Sequence, residues 1–590
     1  MAYDAETIDA NLDSDRQLKR AVERRLRGLA GTRQFIDPDY LEVARFCQPR
    51  LGAFVQAYGS VQAGSTNLNV TLKGTRLNSK LVDGHATFAS QVLGNGMTSG
   101  LSSPSRPWFD ITTSDPDLAD SKAARVWLDQ VKALIYAWFA GTNFYQAAKA
   151  GYLENGVFGT EAGVMMDHWR HGGVTFPLTT GEYWIGLDDA LVPDSLYRRC
   201  DMTVIQMVQR FGIDKCPSKV RDDYAGGKYE NTYMVFHAME PNDLRQLGKR
   251  NARNKRYRSL YFMCEGYGCE ANDPPFLAVE GFDDKPFWAA RWDTVGSEPY
   301  GYSPGMASHP DSRQLQFQSL RKQQGIDYMI TPALRGPAIL ANQNVNLMPK
   351  RITTVASIDK DSFMPIWEVR PEGIKAVAED IGTTRQAIDR HFSVDLFQAI
   401  TNMPGVQPRN VEEIAARNEE KLAQLGPVVD RTNTEKLKVA IDRAFMILLR
   451  QGKIPPAPRE LQGQPLEIVF ISTLTQAQRL LGLGGIERGL AFVGSLVGVF
   501  PQAGDKVDVD EAIDAYFDMA GTPAKIIRSE EEVQALRNAR AQAQAGQQAA
   551  QQAAVVAPAA NQAAQAAQTL SETDTTGGRD LLTKLMGRGG

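Results

Sequence analysis

Cysteine is scarce in this chain. Five residues (Cys47, Cys200, Cys216, Cys264 and Cys269) are scattered over 590 positions, an odd number without paired spacing, which excludes a disulfide framework and suits a reducing compartment. Long apolar runs are missing as well. The most apolar stretch, residues 490–500, is broken by Gly494 and Gly498 and is much shorter than the roughly 20 residues that a bilayer-spanning helix needs, so no membrane span is expected. The opening residues, Met1-Ala2-Tyr3-Asp4-Ala5-Glu6, are acidic where a secretory signal would be basic and then apolar, so no export signal is expected there. Neither sign of charge is in large excess. Lys plus Arg total 65 against 69 Asp plus Glu, a formal net charge of −4. That balance argues against a chain that neutralises phosphates over its whole surface and leaves local or loose contact with nucleic acid.

The chain also lacks the residue patterns of catalysis. A phosphate-binding loop needs glycines ending in Gly-Lys-Ser/Thr, because backbone N–H groups must cradle phosphate while Lys and a hydroxyl meet phosphate and magnesium. The nearest glycine cluster, Gly482, Gly484 and Gly485, has no Lys after it and reads as a turn or a helix-packing site. The run Gly96-Met97-Thr98-Ser99-Gly100 has the spacing of a serine-hydrolase elbow, but it follows a helix and enters a Pro-rich loop, the reverse of the strand-to-helix order required. His168 and His171 precede Gly172-Gly173 and read as solvated residues of a hairpin turn. Cys264 and Cys269 have no second pair to complete a zinc site and read as buried thiols, while Asp188-Asp189 and the acidic stretch 115–120 read as solvated or capping carboxylates. No catalytic residue, metal site or cofactor is expected, and the chain is not expected to be an enzyme.

What is present is a folded chain of several segments, with 43% apolar and 23% charged residues in a length that exceeds one hydrophobic core. Residues 13–29 carry Leu18, Val22, Leu26 and Leu29 at helical spacing, residues 38–46 repeat the pattern behind a Pro, and residues 73–92 predict a helix that stops at Gly94-Asn95-Gly96. Residues 101–109 predict a loop, and residues 122–139 a helix with Trp127, Val131, Leu134 and Trp138 in one stripe. From 156 to 292, short β-branched and aromatic runs predict antiparallel sheet with some helix, including strands at 232–237, 259–263 and 286–292. Helix returns at 310–330. Pro332, Pro337 and Pro349 then punctuate a short β-prone insert that ends near Pro371. Ile374, Val377, Ile381, Ile388 and Phe392 give the helix 373–392 a narrow apolar seam like a coiled-coil stripe. Residues 393–409 predict a loop, and Asn410 with Glu413 a capping box for a long helix kinked or restarted at Gly426-Pro427 and ended by Gly452 and Pro455-Pro456. A strand at 466–471, helices at 475–499 and 509–520 and a capping box at 529–532 follow, before an Ala/Gln-rich tail from 541 that is either a helical extension or disordered. The fold class read from these patterns is α+β, mainly helical. The densest charge feature is Lys249, Arg250, Arg253, Lys255, Arg256 and Arg258, which fits either a phosphate-contacting patch or a solvated hairpin tip.

The run 415–431, Ala-Ala-Arg-Asn-Glu-Glu-Lys-Leu-Ala-Gln-Leu-Gly-Pro-Val-Val-Asp-Arg, continues through Glu435-Lys436-Leu437 and Ile441-Asp442-Arg443-Ala444-Phe445 to Gly452-Lys453-Ile454-Pro455. It closely resembles the head-to-tail connector (portal) family of short-tailed bacteriophages. Residues 104–109, Glu298-Pro299-Tyr300-Gly301-Tyr302-Ser303-Pro304-Gly305 and residues 472–479 resemble further stations of that family in the same order. The resemblance implies a cyclic dodecamer whose subunit has an N-terminal helix at 1–29, a wing at 30–307, stem helices at 308–330 and 373–392, a clip at 331–372 and a tunnel loop at 393–410. Beyond these come a long kinked helix and strand returning to the wing at 411–470, a helical crown at 471–540 and the C-terminal extension at 541–590. It implies a channel for double-stranded DNA at one capsid vertex, with Gln398, Asn402 and Arg409 of the tunnel loop and Arg385 of the stem lining it. It further implies the terminase large subunit, major capsid and scaffolding proteins and a tail adaptor at the clip as partners, in the virion and, during assembly, the host cytoplasm. The stripe on 373–392 suits contact between neighbouring subunits. The rival readings are a non-enzymatic tail or scaffold component and a DNA-processing hydrolase.

Overall fold

The computed structural model describes residues 5–58, 81–113, 122–168, 170–246, 248–249, 251–266, 268–335, 364–366, 368–401, 425–461, 463, 466–472, 492–495, 533–547 and 565. It divides into two units, residues 1–495 and 496–590. Of the second unit, a helix over 533–547 is described, exposed from 534 onward, as expected for a sequence with few large apolar groups. The first unit is an α+β assembly, mainly helical, and holds the cores discussed below.

The chain opens with α1 (Ala5–Arg33), α2 (Asp37–Cys47) and α3 (Pro49–Tyr58). Pro38 and two acids in the first turn favour the start of α2. Next come α4 (His85–Leu101), β1 (Phe109–Thr113), α5 (Lys122–Gly141) and α6 (Phe144–Phe158). α4 does not stop at Gly94-Asn95-Gly96 as the glycines suggested, but runs through them. Gly94 lies against Leu153 of α6, and a Cβ at Gly96 would overlap the ring of Phe397, so these glycines serve close helix packing and not chain termination. β1, unexpected from sequence, pairs antiparallel with β12 (Leu466–Phe470). α6 ends at Gly159 with φ 78, the left-handed cap that glycine adopts at least cost.

The middle of the chain is antiparallel sheet, as its texture indicated. β2 (Thr160–Met166) pairs with β3 (Val174–Leu178) and β9 (Phe287–Arg291). β4 (Tyr183–Leu187), β5 (Pro193–Thr203), β6 (Thr232–Pro241), β7 (Tyr257–Phe262) and β8 (Ala278–Phe282) form a five-stranded meander. Between β5 and β6 lie α7 (Val204–Phe211), which carries a full Thr203/Gln206 capping box, and α8 (Ser218–Ala225). Side chains of the meander alternate between its faces. Trp184, Phe236, Leu260 and Phe262 meet Val22 and Leu26 of α1, and Tyr183, Ile185, Val235 and Tyr261 join a second core with β2, β9 and α7. His237 is a satisfied core residue: Arg198 Nε donates to Nδ1 at 3.0 Å and Ser259 lies 2.8 Å from Nε2. Burial, then the charges of Arg198 and Arg210, hold its imidazole well below the usual range.

After the short α9 (Pro304–Ala307), α10 (His309–Ile330) and α11 (Pro371–His391) form an antiparallel pair, with the two-residue strands β10 (Leu334–Arg335) and β11 (Met364–Pro365) between them. Contacts of Asp311 with His391, of Gln318 with Asp380 and of Gly325 with Ile374 fix the opposite directions. Residues 394–401 are not loop but helix α12 (Val394–Thr401), entered through Ser393 at φ 50, because Leu396 and Phe397 find buried positions in the helical core. The seam of α11 is likewise covered within the chain: Ile381, Ile388 and Phe392 belong to that core, which overturns its assignment to contact between subunits. Gly426-Pro427 lie at the head of a helix described from residue 425. The irregularity in that helix is a π turn at Asn433–Leu437 before α13 (Lys438–Arg450). There Lys436 turns inward, 2.6 Å from Glu161 and 3.4 Å from the centre of the Tyr152 ring. Most of the expected clip, the capping box at 410–413 and most of the expected crown lie outside the described residues.

Candidate nucleic-acid interface

The α10–α11 pair is gripped where it meets the rest of the unit, and Asp83 is the centre of the grip. Its Oδ2 accepts from Arg385 of α11 at 2.8 Å and from Ser319 of α10 at 3.1 Å, and its Oδ1 accepts the backbone N–H of His85 at 3.0 Å. Gln316 closes the same knot, its Oε1 accepting the N–H groups of Val82 and Asp83 and its Nε2 donating to the Asp83 carbonyl. Burial pushes the Asp83 carboxyl upward, but the hydrogen bonds from Arg385 and His85 and the Arg385 charge together hold it below the ordinary carboxylate range. Three histidines add ties around this knot: His85 to Asp389 at 2.9 Å, His309 to Glu42 of α2 at 2.9 Å, and His391 to Asp311 at 3.3 Å.

Away from the grip, α10 turns an apolar face outward. Phe317 is 59% exposed, Leu320 41% and Tyr328 50%, all on one side of the helix. At its far end Ile326, Met329 and Ile330 are exposed, with Leu334 and Ile366 of β10 and beside β11. A shallow depression lined by His309, Pro310, Arg313, Gln314 and Phe317 lies at the other end. A monomer rarely presents such a row. The sequence held a signal for it that hydrophobic periodicity does not capture: α10 carries large apolar residues on more than one face, so no single neighbour within the chain can cover them.

Of the residues expected to line a channel, Arg385 stands on α11, 47% exposed and bound to Asp83. Gln398 is exposed on α12, and Asn402 and Arg409 lie outside the described residues. The basic cluster forms the connection between β6 and β7, a hairpin as one of its two readings had it. Much of its charge is already matched. Arg253 pairs with Asp15 of α1 through two contacts of 2.7 Å, Lys255 with Asp283, and Arg258 with the buried Glu240. Lys249 and Arg256 remain exposed, and Arg250 lies outside the described residues. The structure does not bring this hairpin together with Arg385. The five cysteines are free thiols. His168 caps its own turn by accepting the N–H groups of Arg170 and His171.

Comparison with known proteins adds identity to this geometry. The model of the family described as bacteriophage head to tail connecting protein matches residues 19–527. The portal protein of Salmonella phage epsilon15 is 36% identical over 570 residues, covering 96% of this chain and 97% of that protein. A probable portal protein of Bordetella phage BPP-1 is 36% identical over 474 residues, covering 80% of this chain and 84% of that one.

Proposed function

The chain belongs to the family of bacteriophage head-to-tail connecting proteins and is a phage portal, and on that premise we propose how its parts serve the role. Identical subunits close into a ring, twelve in number, around a channel through which double-stranded DNA enters the head during packaging and leaves during ejection. Closure requires two different surfaces of each subunit to meet. The outward apolar face of α10, uncovered in the single chain, supports this reading, and it replaces the seam of α11 as the surface a neighbouring subunit covers.

In this reading residues 30–307 are the wing, α10 and α11 the stem, 331–372 the clip, 393–410 the tunnel region and 471–540 the crown. A stem helix of about 20 residues is roughly 30 Å long, enough to wall a good part of a channel. Arg385 beside Asp83, Gln398 on α12, and Asn402 and Arg409 after it line the passage. The near-neutral chain suits a conduit, since strong attraction to every passing phosphate would stall movement. The subunit hydrolyses nothing itself: the terminase large subunit supplies the work of packaging, and a tail adaptor later takes its place at the clip. Capsid and scaffolding proteins hold the ring at one vertex of the virion, after assembly in the host cytoplasm.

The observation that carries the proposal is a family match along nearly the whole chain joined to an assembly face left open in the subunit. Native mass measurement of the purified chain tests it, with about twelve copies expected, together with annular averages by electron microscopy. Phe317→Asp with Ile330→Asp is expected to yield folded monomers, and an unaltered ring in that variant would remove α10 from the interface.

A further inference from the structure

We propose that the outer side of α1 and the β6–β7 hairpin form a second surface for duplex DNA, separate from the stem, that holds the phosphate backbone without reading sequence. The inference rests on the connector reading for its ligand and on the following geometry for its place. α1 lies on the five-stranded sheet with Val22 and Leu26 inward. On the opposite side Arg20, Arg24 and Arg27 recur at intervals of four and three residues, all exposed. Such a spacing puts them in one stripe about 10 Å long.

The hairpin is tied to α1 from the sheet side, beneath this stripe, since at 3.6 residues per turn Asp15 shares the face of Val22 and Leu26 and Arg25 lies on its flank. Asp15 receives Arg253, and Glu240 at the end of β6 receives both Arg25 of α1 and Arg258 of β7. Arg20 and Arg24 fall between these ties in the helix. Arg256 continues the β7 ladder, its carbonyl accepting the N–H of Asn242 at 2.8 Å. It shares the alternation of Leu260 and Phe262, which pack under α1, and so belongs to the α1 side of the sheet. Arg245 and Lys249 are exposed on the same hairpin.

Most of the nearby carboxylates are already engaged, the exposed Glu265, whose charge acts on Glu23, being left over. Asp15 and Glu240 are used as above, Glu23 lies 4.0 Å from Lys19 and 3.9 Å from Arg27, and Asp283 holds Lys255. Among the described residues, Arg20, Arg24, Arg245, Lys249 and Arg256 have no ion-pair partner, against the exposed Asp243 of the same hairpin. A chain of net charge −4 thus carries unmatched cations on the outer side of α1 and on the hairpin joined to it. Most of them are guanidiniums, whose fork of donors fits phosphate oxygens. Duplex DNA carries one negative charge per about 1.7 Å of axis, so a duplex along the stripe offers about six phosphates to its three arginines, and the connector role brings that polymer to this protein.

The test uses assembled rings of the full chain and a covalently closed circular duplex, which cannot thread a closed ring and so reports contacts outside the channel. The wild type is expected to retain the circle at about 50 mM salt. A variant with Arg20→Gln, Arg24→Gln, Lys249→Gln and Arg256→Gln is expected to form the same rings and to bind the circle at least tenfold more weakly. Its salt-dependence slope should be smaller by about 3.6, the loss of four phosphate contacts. Rings that ignore the circle, or that bind it equally in both forms, overturn the proposal. So does retention of polyglutamate in place of DNA, which would make an acidic polypeptide the partner. Absence of rings in the wild type counts against the connector reading instead, and circle binding by the unassembled chain and its variant then decides this one.

Discussion

At the scale of single residues the molecule buries more charge than its composition suggested. Glu154 of α6 accepts the backbone N–H of Thr180 at 2.7 Å and its hydroxyl at 3.2 Å. Burial nevertheless pushes its carboxyl from the ordinary 4.5 up to about 8. Because the folded value lies above the unfolded one, folding takes up a proton between these limits. The stabilisation is complete below about pH 4.5 and is lost as the pH rises through about 8. Glu154→Gln is therefore expected to stabilise the chain by about 4 kcal/mol at pH 8, with the gain vanishing near pH 4; denaturation midpoints measured across that range check it. None of this was legible in the sequence. Glu154 sits in a run, Gly151-Tyr152-Leu153-Glu154-Asn155, that looks like any amphipathic helix, and its burial depends on the turn before β4, which lies far along the chain. Lys436 is similar: it stands in a stretch whose resemblance to a family was plain, yet its pairing with Glu161 follows from a π turn that no spacing rule anticipates.

At the scale of elements, helices with one apolar face were readable and their neighbours were not. Val22 and Leu26 announced α1, but the sheet beneath them came from strands some 160 to 240 residues later, a pairing set by packing and not by local pattern. The same limit explains the errors. Glycines in α4 look like a stop until Leu153 and Phe397 are seen to need the room, and the residues of α12 look like loop until a core is available for Phe397. Asp83 shows what an element pair owes to a single side chain. Asp83→Ala removes the acceptor for Arg385, Ser319 and the His85 N–H, and charge-assisted hydrogen bonds of this kind contribute about 1.5–3 kcal/mol each. Hydrogen exchange is expected to speed up in α10 and α11 while the five-stranded sheet keeps its protection; equal loosening everywhere, or none, would speak against a local role for Asp83.

At the scale of the whole molecule, two kinds of surface are expected to answer differently to salt. The α10 face is apolar, and apolar association persists as ions are added. DNA held by arginines is released as counterions compete. Raising salt from about 0.1 M to about 1 M should strip duplex DNA from the rings while leaving the rings intact, which light scattering and native mass of the same sample can follow. Rings that fall apart before the DNA leaves would place the subunit contact among the charges.

The sequence by itself determined the class of the fold, the absence of a nucleotide loop or metal cluster pattern, and, through the stretch 415–455, the family. These are properties of local order: periodicity, turn residues and motif spacing are written in consecutive positions. Tertiary structure decided which charges are matched, which apolar faces are left open and which glycines are contacts. Each of these depends on residues brought together from distant parts of the chain, and burial, which sets the strength of a charge or the need for a partner, exists only once they meet.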